Sequence, residues 1–184
     1  MEKKFIEIKN KASLPQCAVK FLCDKNKTVT FAESCTGGLV AKKLTDVSGA
    51  SECFECSFVT YSNAKKTKLI GVSEETLKSF GAVSWQTAHE MCEGAKKAAD
   101  ADIGIGLTGI AGPTGGTPEK PVGLVFVGFC TNDLHSVFRL MLDGDRDTVR
   151  DKASDFAFYL IEKYLVGEYD FFKNTSPTDT EYSI

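Results

Sequence analysis

Apolar positions along the chain alternate between two periods. From Ala12 to Asn26, Leu14, Ala18, Val19, Phe21 and Leu22 share one side of a 3.6-residue repeat and predict an amphipathic helix. Thr28-Val29-Thr30-Phe31 then predicts a short buried strand. After Glu33-Ser34-Cys35-Thr36-Gly37-Gly38, helical spacing returns at Leu39, Val40, Lys43-Leu44 and Val47. Phe54 to Tyr61 predicts a second strand, followed by a polar turn and a short helix ending near Gly71. Ser73 to Phe80 and Ser84 to Asp100 read as helices with Ser73 and Ser84 as caps.

The second half repeats the theme with one change. Ile103 to Leu107 predicts a strand, and Thr108 to Pro121 a long Gly- and Pro-rich loop. Val122–Cys130 and Leu134–Leu142 predict two strands joined by the turn Thr131-Asn132-Asp133, a hairpin signal. Asp145 caps a last helix with a face of Val149, Ala153, Phe156, Ala157, Leu160, Ile161 and Tyr164, and Gly167 lies just past its end. Strands alternating with helices, plus one late hairpin, predict an α/β fold: a single three-layer α/β/α domain with a mixed β-sheet over residues 1–167. Residues 168–184 read as a polar, acidic tail, mobile or serving as an interface arm.

Composition narrows the function. With 184 residues, 42% hydrophobic, the chain can bury a real core in one domain. The longest apolar run, Val122–Cys130, is about half of a bilayer span, and the first residues carry no apolar signal core, so a cytoplasmic protein with no membrane partner is expected. The net charge of −3 and the dilution of each Lys pair by acids argue against nucleic acid as a partner. Seven Cys, an odd number, favour reduced thiols. Cys53-Phe54-Glu55-Cys56 has CxxC spacing, but no second CxxC or His pair accompanies it, so no metal site is expected there. The two His, His89 and His135, read as structural or solvent-facing, so a hydrolase built on this chain would activate its nucleophile with something else.

Polar segments at strand ends carry the candidate chemistry. Glu33 to Gly38 places small hydroxyl residues between a strand and a helix, where free N–H groups can hold an anion or oxyanion. On this motif alone Ser34 or Thr36 reads better as only the helix cap, since caps are far commoner than nucleophiles, and Cys35 as nucleophile would want a cation beside it. Thr60-Tyr61-Ser62-Asn63-Ala64-Lys65-Lys66 offers a lysine base if burial lowers its pKa; alone, a solvated Lys-rich helix start explains it better. Thr108 to Thr117 is Gly-rich after a strand, yet lacks the ending of a Walker loop and the dinucleotide fingerprint. Arg146, at the start of the last helix, could grip a phosphate together with the helix terminus, or pair with Asp143 or Asp147. In an α/β sheet such strand ends can line one cleft.

Taken in order, these segments resemble the CinA C-terminal domain family, amidohydrolases that deamidate nicotinamide mononucleotide. The resemblance runs through Ala32-Glu33-Ser34-Cys35-Thr36-Gly37-Gly38, Gly49-Ala50-Ser51, Thr60-Tyr61-Ser62-Asn63 with Lys66, Gly81-Ala82-Val83-Ser84, Thr108-Gly109-Ile110-Ala111-Gly112-Pro113 and Pro121-Val122-Gly123, and covers about Val29 to Leu165. Longer family members carry a further N-terminal domain; at this length the chain resembles the standalone deamidases. The resemblance implies a Ser–Lys pair at Ser34 and Lys66, assisted by Tyr61, and no metal or organic cofactor. It also implies nucleotide contacts from Cys35, Thr36, Gly37, Thr108, Gly109, Gly112 and Arg146, and a homo-oligomer, dimer or trimer. A non-catalytic module that binds a nucleotide or a partner protein is the competing reading, and it would need no Ser34–Lys66 contact.

Overall fold

The computed structural model describes residues 1–173, 177–178 and 180–184. Seven strands form one mixed sheet: β1 (Glu2–Phe5), β2 (Val29–Glu33), β3 (Phe58–Val59), β4 (Ile103–Gly109), β5 (Leu124–Cys130), β6 (His135–Met141) and β7 (Thr180–Ser183). Their order across the sheet is β1-β7-β6-β5-β4-β2-β3. The β2–β3, β2–β4, β6–β7 and β1–β7 pairs are parallel; β4–β5 and β5–β6 are antiparallel, so the late hairpin is present. Helices α1 (Leu14–Asp24), α2 (Leu39–Thr45) and α6 (Arg146–Leu165) pack together on one face. Helices α3 (Asn63–Ile70), α4 (Glu74–Phe80) and α5 (Trp85–Ala99) cover the other, and a short α7 (Asp170–Lys173) follows. The three-layer mixed α/β architecture expected from the alternation is present.

Strand β4 shows how one alternation serves two layers. Ile103, Ile105 and Leu107 join the main core with residues of α1 and α6, while Gly104, Gly106 and Thr108 take the opposite face of the strand. That face meets α5 at backbone distance. A Cβ at Gly106, or at its register partner Gly128 on β5, would stand 2.7 and 2.3 Å from the Ala88 carbonyl oxygen. These glycines let the helix sink onto the sheet, and a side chain at either would prise it off.

Three differences from the predicted elements have physical causes. The strand expected over Phe54–Tyr61 is reduced to Phe58–Val59. The chain before it holds β2 irregularly, through Val29 N–H to the Cys53 carbonyl (2.9 Å) and the Thr30 hydroxyl to the Cys56 carbonyl (2.9 Å). The N-terminal strand β1 was not anticipated. The expectation of a mobile tail or interface arm after Gly167 needs correction as well. Its described part folds back, and β7 lies inside the sheet between β1 and β6. Phe171, Phe172 and Tyr182 stack around Phe138, which fastens the segment to the core. Glu181, only 8% exposed, lies 3.4 Å from Arg139 Nη2. Those apolar side chains are spread thinly among acids, so composition alone read the segment as polar.

Gly128→Ala is expected to lower stability by about 1–3 kcal/mol, as overpacking does. The urea midpoint should fall at constant slope; an unchanged midpoint would mean that α5 does not approach this closely.

Candidate active site

Strand β2 ends at Glu33, a fully buried acid. Ser34 keeps pairing with β4 through its N–H to the Leu107 carbonyl, at 3.0 Å. The chain then turns through Gly37 (φ 60°) and Gly38 (φ 96°), a left-handed conformation suited to glycine, into α2. Most amides at the mouth of α2 belong to Glu33: its carboxylate accepts from the N–H of the cap residue Gly38 (2.9 Å), Val40 N–H (3.1 Å) and Ala41 N–H (2.9 Å), while Leu39 N–H donates to the Thr36 carbonyl (3.3 Å). Neither Ser34 nor Thr36 is therefore the cap, and the helix terminus is already occupied by a negative charge. Ahead of it, among the described residues, the amides of Cys35, Thr36 and Gly37 donate to no backbone carbonyl, and those of Cys35 and Thr36 face the Cys35 sulfur. The Thr36 hydroxyl is also buried without a partner.

Lys66 arrives from α3, whose N-cap Ser62 accepts from Lys65 N–H at 3.3 Å. One turn of helix separates that cap from a side chain only 1% exposed. Its Nζ lies 2.7 Å from the Thr60 carbonyl oxygen and 3.0 Å from Ser34 Oγ. No carboxylate among the described residues pairs with it at ion-pair distance. Burial pushes its pKa below the ordinary lysine value, against a smaller opposing influence from Cys35. Lys65 points to solvent and plays no part in the shift. A neutral amine here has N–H for Thr60 and a lone pair to accept the Ser34 proton.

Cys35 is the adjacent alternative nucleophile. Burial, with a smaller push from Glu33, raises its thiol pKa to about 12 against the pull of nearby backbone amides. It is held as an unreactive thiol.

The remaining candidates converge on the same strand ends in different ways. Arg146 Nη1 donates to the Gly112 carbonyl at 2.8 Å and Nη2 to the Tyr61 hydroxyl at 3.4 Å. The ion pairs weighed for it go elsewhere: Asp147 faces Arg150, and Asp143 pairs with Lys152. The terminus of α6 is capped by Asp145, which accepts from Thr148 N–H at 2.8 Å, so the guanidinium rather than the helix end is free to take an anion. Tyr61 is 67% exposed and bonds Arg146, not the Ser34–Lys66 pair. The Thr108 hydroxyl, buried, donates to the Ala82 carbonyl at 2.6 Å and ties two loops together. Gly109 lies against β5, where a Cβ would stand 2.6 Å from the Leu124 carbonyl.

Two residues of the site were missed in the sequence. Glu33 holds α2. Arg150, one turn beyond Arg146 on α6, donates from Nη2 to the Thr36 carbonyl at 2.8 Å. The i, i+4 spacing of the two arginines was the available signal for the second.

A three-layer α/β/α domain with a serine and a buried, unpaired lysine meeting at strand ends defines the class. Residues 11–165 match the CinA C-terminal domain, and the chain belongs to that family. It is 50% identical over 163 residues to a protein of Thermoanaerobacter sp. (strain X514) named as competence-damage inducible, covering 89% of this chain and 40% of that one. It is 49% identical over 154 residues to a CinA-like protein of Kosmotoga olearia, covering 84% and 37%. The chain thus spans about two fifths of these relatives. Among solved structures, competence/damage inducible protein CihA from Agrobacterium tumefaciens superposes with a TM-score of 0.80 at 36% identity, covering 88% of this chain and 98% of that one. A CinA superfamily protein from Klebsiella pneumoniae gives 0.82 at 31% identity, covering 86% and 99%. No helix among the described residues is long and apolar enough to cross a membrane.

Burial of Lys66 leaves a signature in stability. The unfolded lysine has a pKa near 10.4, and the folded pKa is lower, so between the two the unfolded chain holds more protons. Folding then gains stability as pH rises through that window. Lys66→Met removes the dependence. Wild type should gain on Lys66→Met in urea unfolding as pH rises from the lowered folded pKa towards the ordinary lysine value; a falling or flat difference would mean that Lys66 is charged and compensated.

Proposed function

We propose that this chain hydrolyses the carboxamide of nicotinamide mononucleotide to nicotinate mononucleotide and ammonia. The observation that carries the reading is the 3.0 Å approach of a buried lysine amine, without a carboxylate partner, to Ser34 Oγ. A non-catalytic nucleotide receptor has no use for that contact, and burying an unpaired lysine costs stability.

Neutral Lys66 takes the Ser34 proton as Oγ bonds to the amide carbon, and the carbonyl π pair moves to oxygen. The oxyanion is held by the amides of the Cys35–Gly37 loop, which donate to no backbone carbonyl, with the Thr36 hydroxyl beside them. As the tetrahedral species collapses, the C–N bond breaks, and the Lys66 ammonium gives its proton to the departing nitrogen, releasing ammonia. Water then adds to the ester while Lys66 takes its proton; Oγ leaves with that proton, and the product is the carboxylic acid. Arg146, which has no carboxylate at ion-pair distance among the described residues, receives the substrate phosphate between the Gly112 loop and Tyr61. The step needs no metal or organic cofactor.

Ser34→Ala and Lys66→Ala should each cut ammonia release more than about a thousandfold while the fold is retained. Ordinary turnover in either purified variant would overturn the pair and leave the receptor reading. The rate of wild type should rise as pH climbs towards the lowered lysine pKa and level off above it, since only the neutral amine is active; a rate falling over that limb would remove Lys66 as the base. Arg146→Ala should raise KM by roughly tenfold to a hundredfold, the worth of a charged hydrogen bond, with kcat little changed. The riboside, which lacks the phosphate, should be hardly affected; an equal loss on both substrates would refute the phosphate contact.

A further inference from the structure

At the other end of the sheet, three side chains that take no part in the proposed reaction converge. His89 and Glu93 sit one turn apart on α5, and His135 opens β6. His135 Nδ1 lies 3.0 Å from one Glu93 carboxylate oxygen, and His89 Nε2 lies 3.5 Å from the other. The two imidazoles face each other at 5.7 Å between ring centres. One donor atom from each residue falls within 4.8 Å of the others.

We propose that His89, Glu93 and His135 form a binding site for a divalent transition-metal ion, zinc being the best fit. Two imidazoles and a carboxylate are borderline donors that suit zinc over magnesium or calcium. Bonds of 2.0–2.1 Å in a tetrahedron set neighbouring donors about 3.3 Å apart. The observed spacings bracket that value, so ligation asks for side-chain adjustments of an ångström or so. The frame is rigid where it matters: α5 rests on Gly106 and Gly128 at backbone contact, and His135 is locked to Cys130 in the hairpin ladder. All three side chains keep between 35% and 44% of their surface exposed, so an ion has an entry path and a fourth position open to water.

The site is separate from Ser34. Register runs from His135 through Cys130 and Gly104 to Thr30, four residues before Ser34. That places the two roughly 13 Å apart along the strands and about 14 Å across them. A bound ion would cross-link α5 to β6, a stapling role independent of amide hydrolysis.

Calorimetric titration of the full chain with zinc, and absorption spectra with cobalt(II), test the assignment. One equivalent is expected to bind saturably, with visible ligand-field bands and no sulfur-to-metal charge-transfer band. His89→Gln, Glu93→Gln and His135→Gln should each weaken binding by at least about tenfold to a hundredfold, what loss of even an outer partner usually costs. Cys56→Ser, at the exposed thiol, should change nothing. Thermal unfolding of wild type should shift upwards with zinc, and that of the three variants should not. Absence of saturable binding, binding indifferent to the three variants, or a thiolate band abolished by Cys56→Ser would each overturn the site.

Discussion

Exclusion of water from the small volume where β2 ends acts on two neighbouring groups in opposite directions. For an amine it penalises the protonated form, and Lys66 is pushed towards the free base. For a thiol it penalises the deprotonated form, and Cys35 is driven to about 12. On the proposed reading, a single desolvated pocket thereby selects the nucleophile: serine, which needs a base, is given one, and the intrinsically more reactive cysteine beside it is silenced. On that reading the arrangement depends on Lys66 having no carboxylate at ion-pair distance among the described residues. Glu33, one residue from Ser34, would repair the lysine's charge if it turned that way; the amides of Gly38, Val40 and Ala41 at the mouth of α2 hold it in place.

That assignment explains what was legible beforehand. The capping serines and Asp145, the hairpin and the helical faces announce themselves locally, because each depends on residues three or four positions apart. Ser34 and Lys66 could be named only through the family resemblance, since taken alone their segments read as a helix cap and a solvated lysine. What made them a pair, the burial of Lys66 against Thr60, depends on how α3 meets β2, and nothing local in the Lys65-Lys66 doublet separates a solvated lysine from a buried one. Glu33 was opaque for the same reason. It lies five residues before the first amide it caps, outside the spacing at which a capping acid is ordinarily looked for.

Strands β1 and β7 mark the opposite limit. Glu2 pairs with Thr180, across nearly the whole chain, and parallel pairing of such distant segments leaves no turn between them to read. The apolar anchors Phe171, Phe172 and Tyr182 become intelligible only beside Phe138, which belongs to another strand. A polar average over 168–184 hides three aromatic rings that decide where the segment goes.

The two arginines of α6 show how the core sets the precision of the site. Each spends a hydrogen bond on a loop carbonyl, Arg146 on Gly112 and Arg150 on Thr36, so one helix holds both loops in register. A carbonyl is a neutral acceptor, so a bond to it positions the loop while leaving most of the positive potential for an incoming anion. Had Asp147 and Asp143 taken Arg146 instead, the loops would be looser and the charge already offset. Both acids are drawn to other cations, Arg150 and Lys152. The helix that carries this division of labour is itself fixed by Val149, Ala153, Phe156, Ala157, Leu160 and Ile161 in the main core. Loop geometry at the strand ends therefore inherits the rigidity of that core layer, and on the proposed reading groups held in place beforehand need little reorganisation when charge develops.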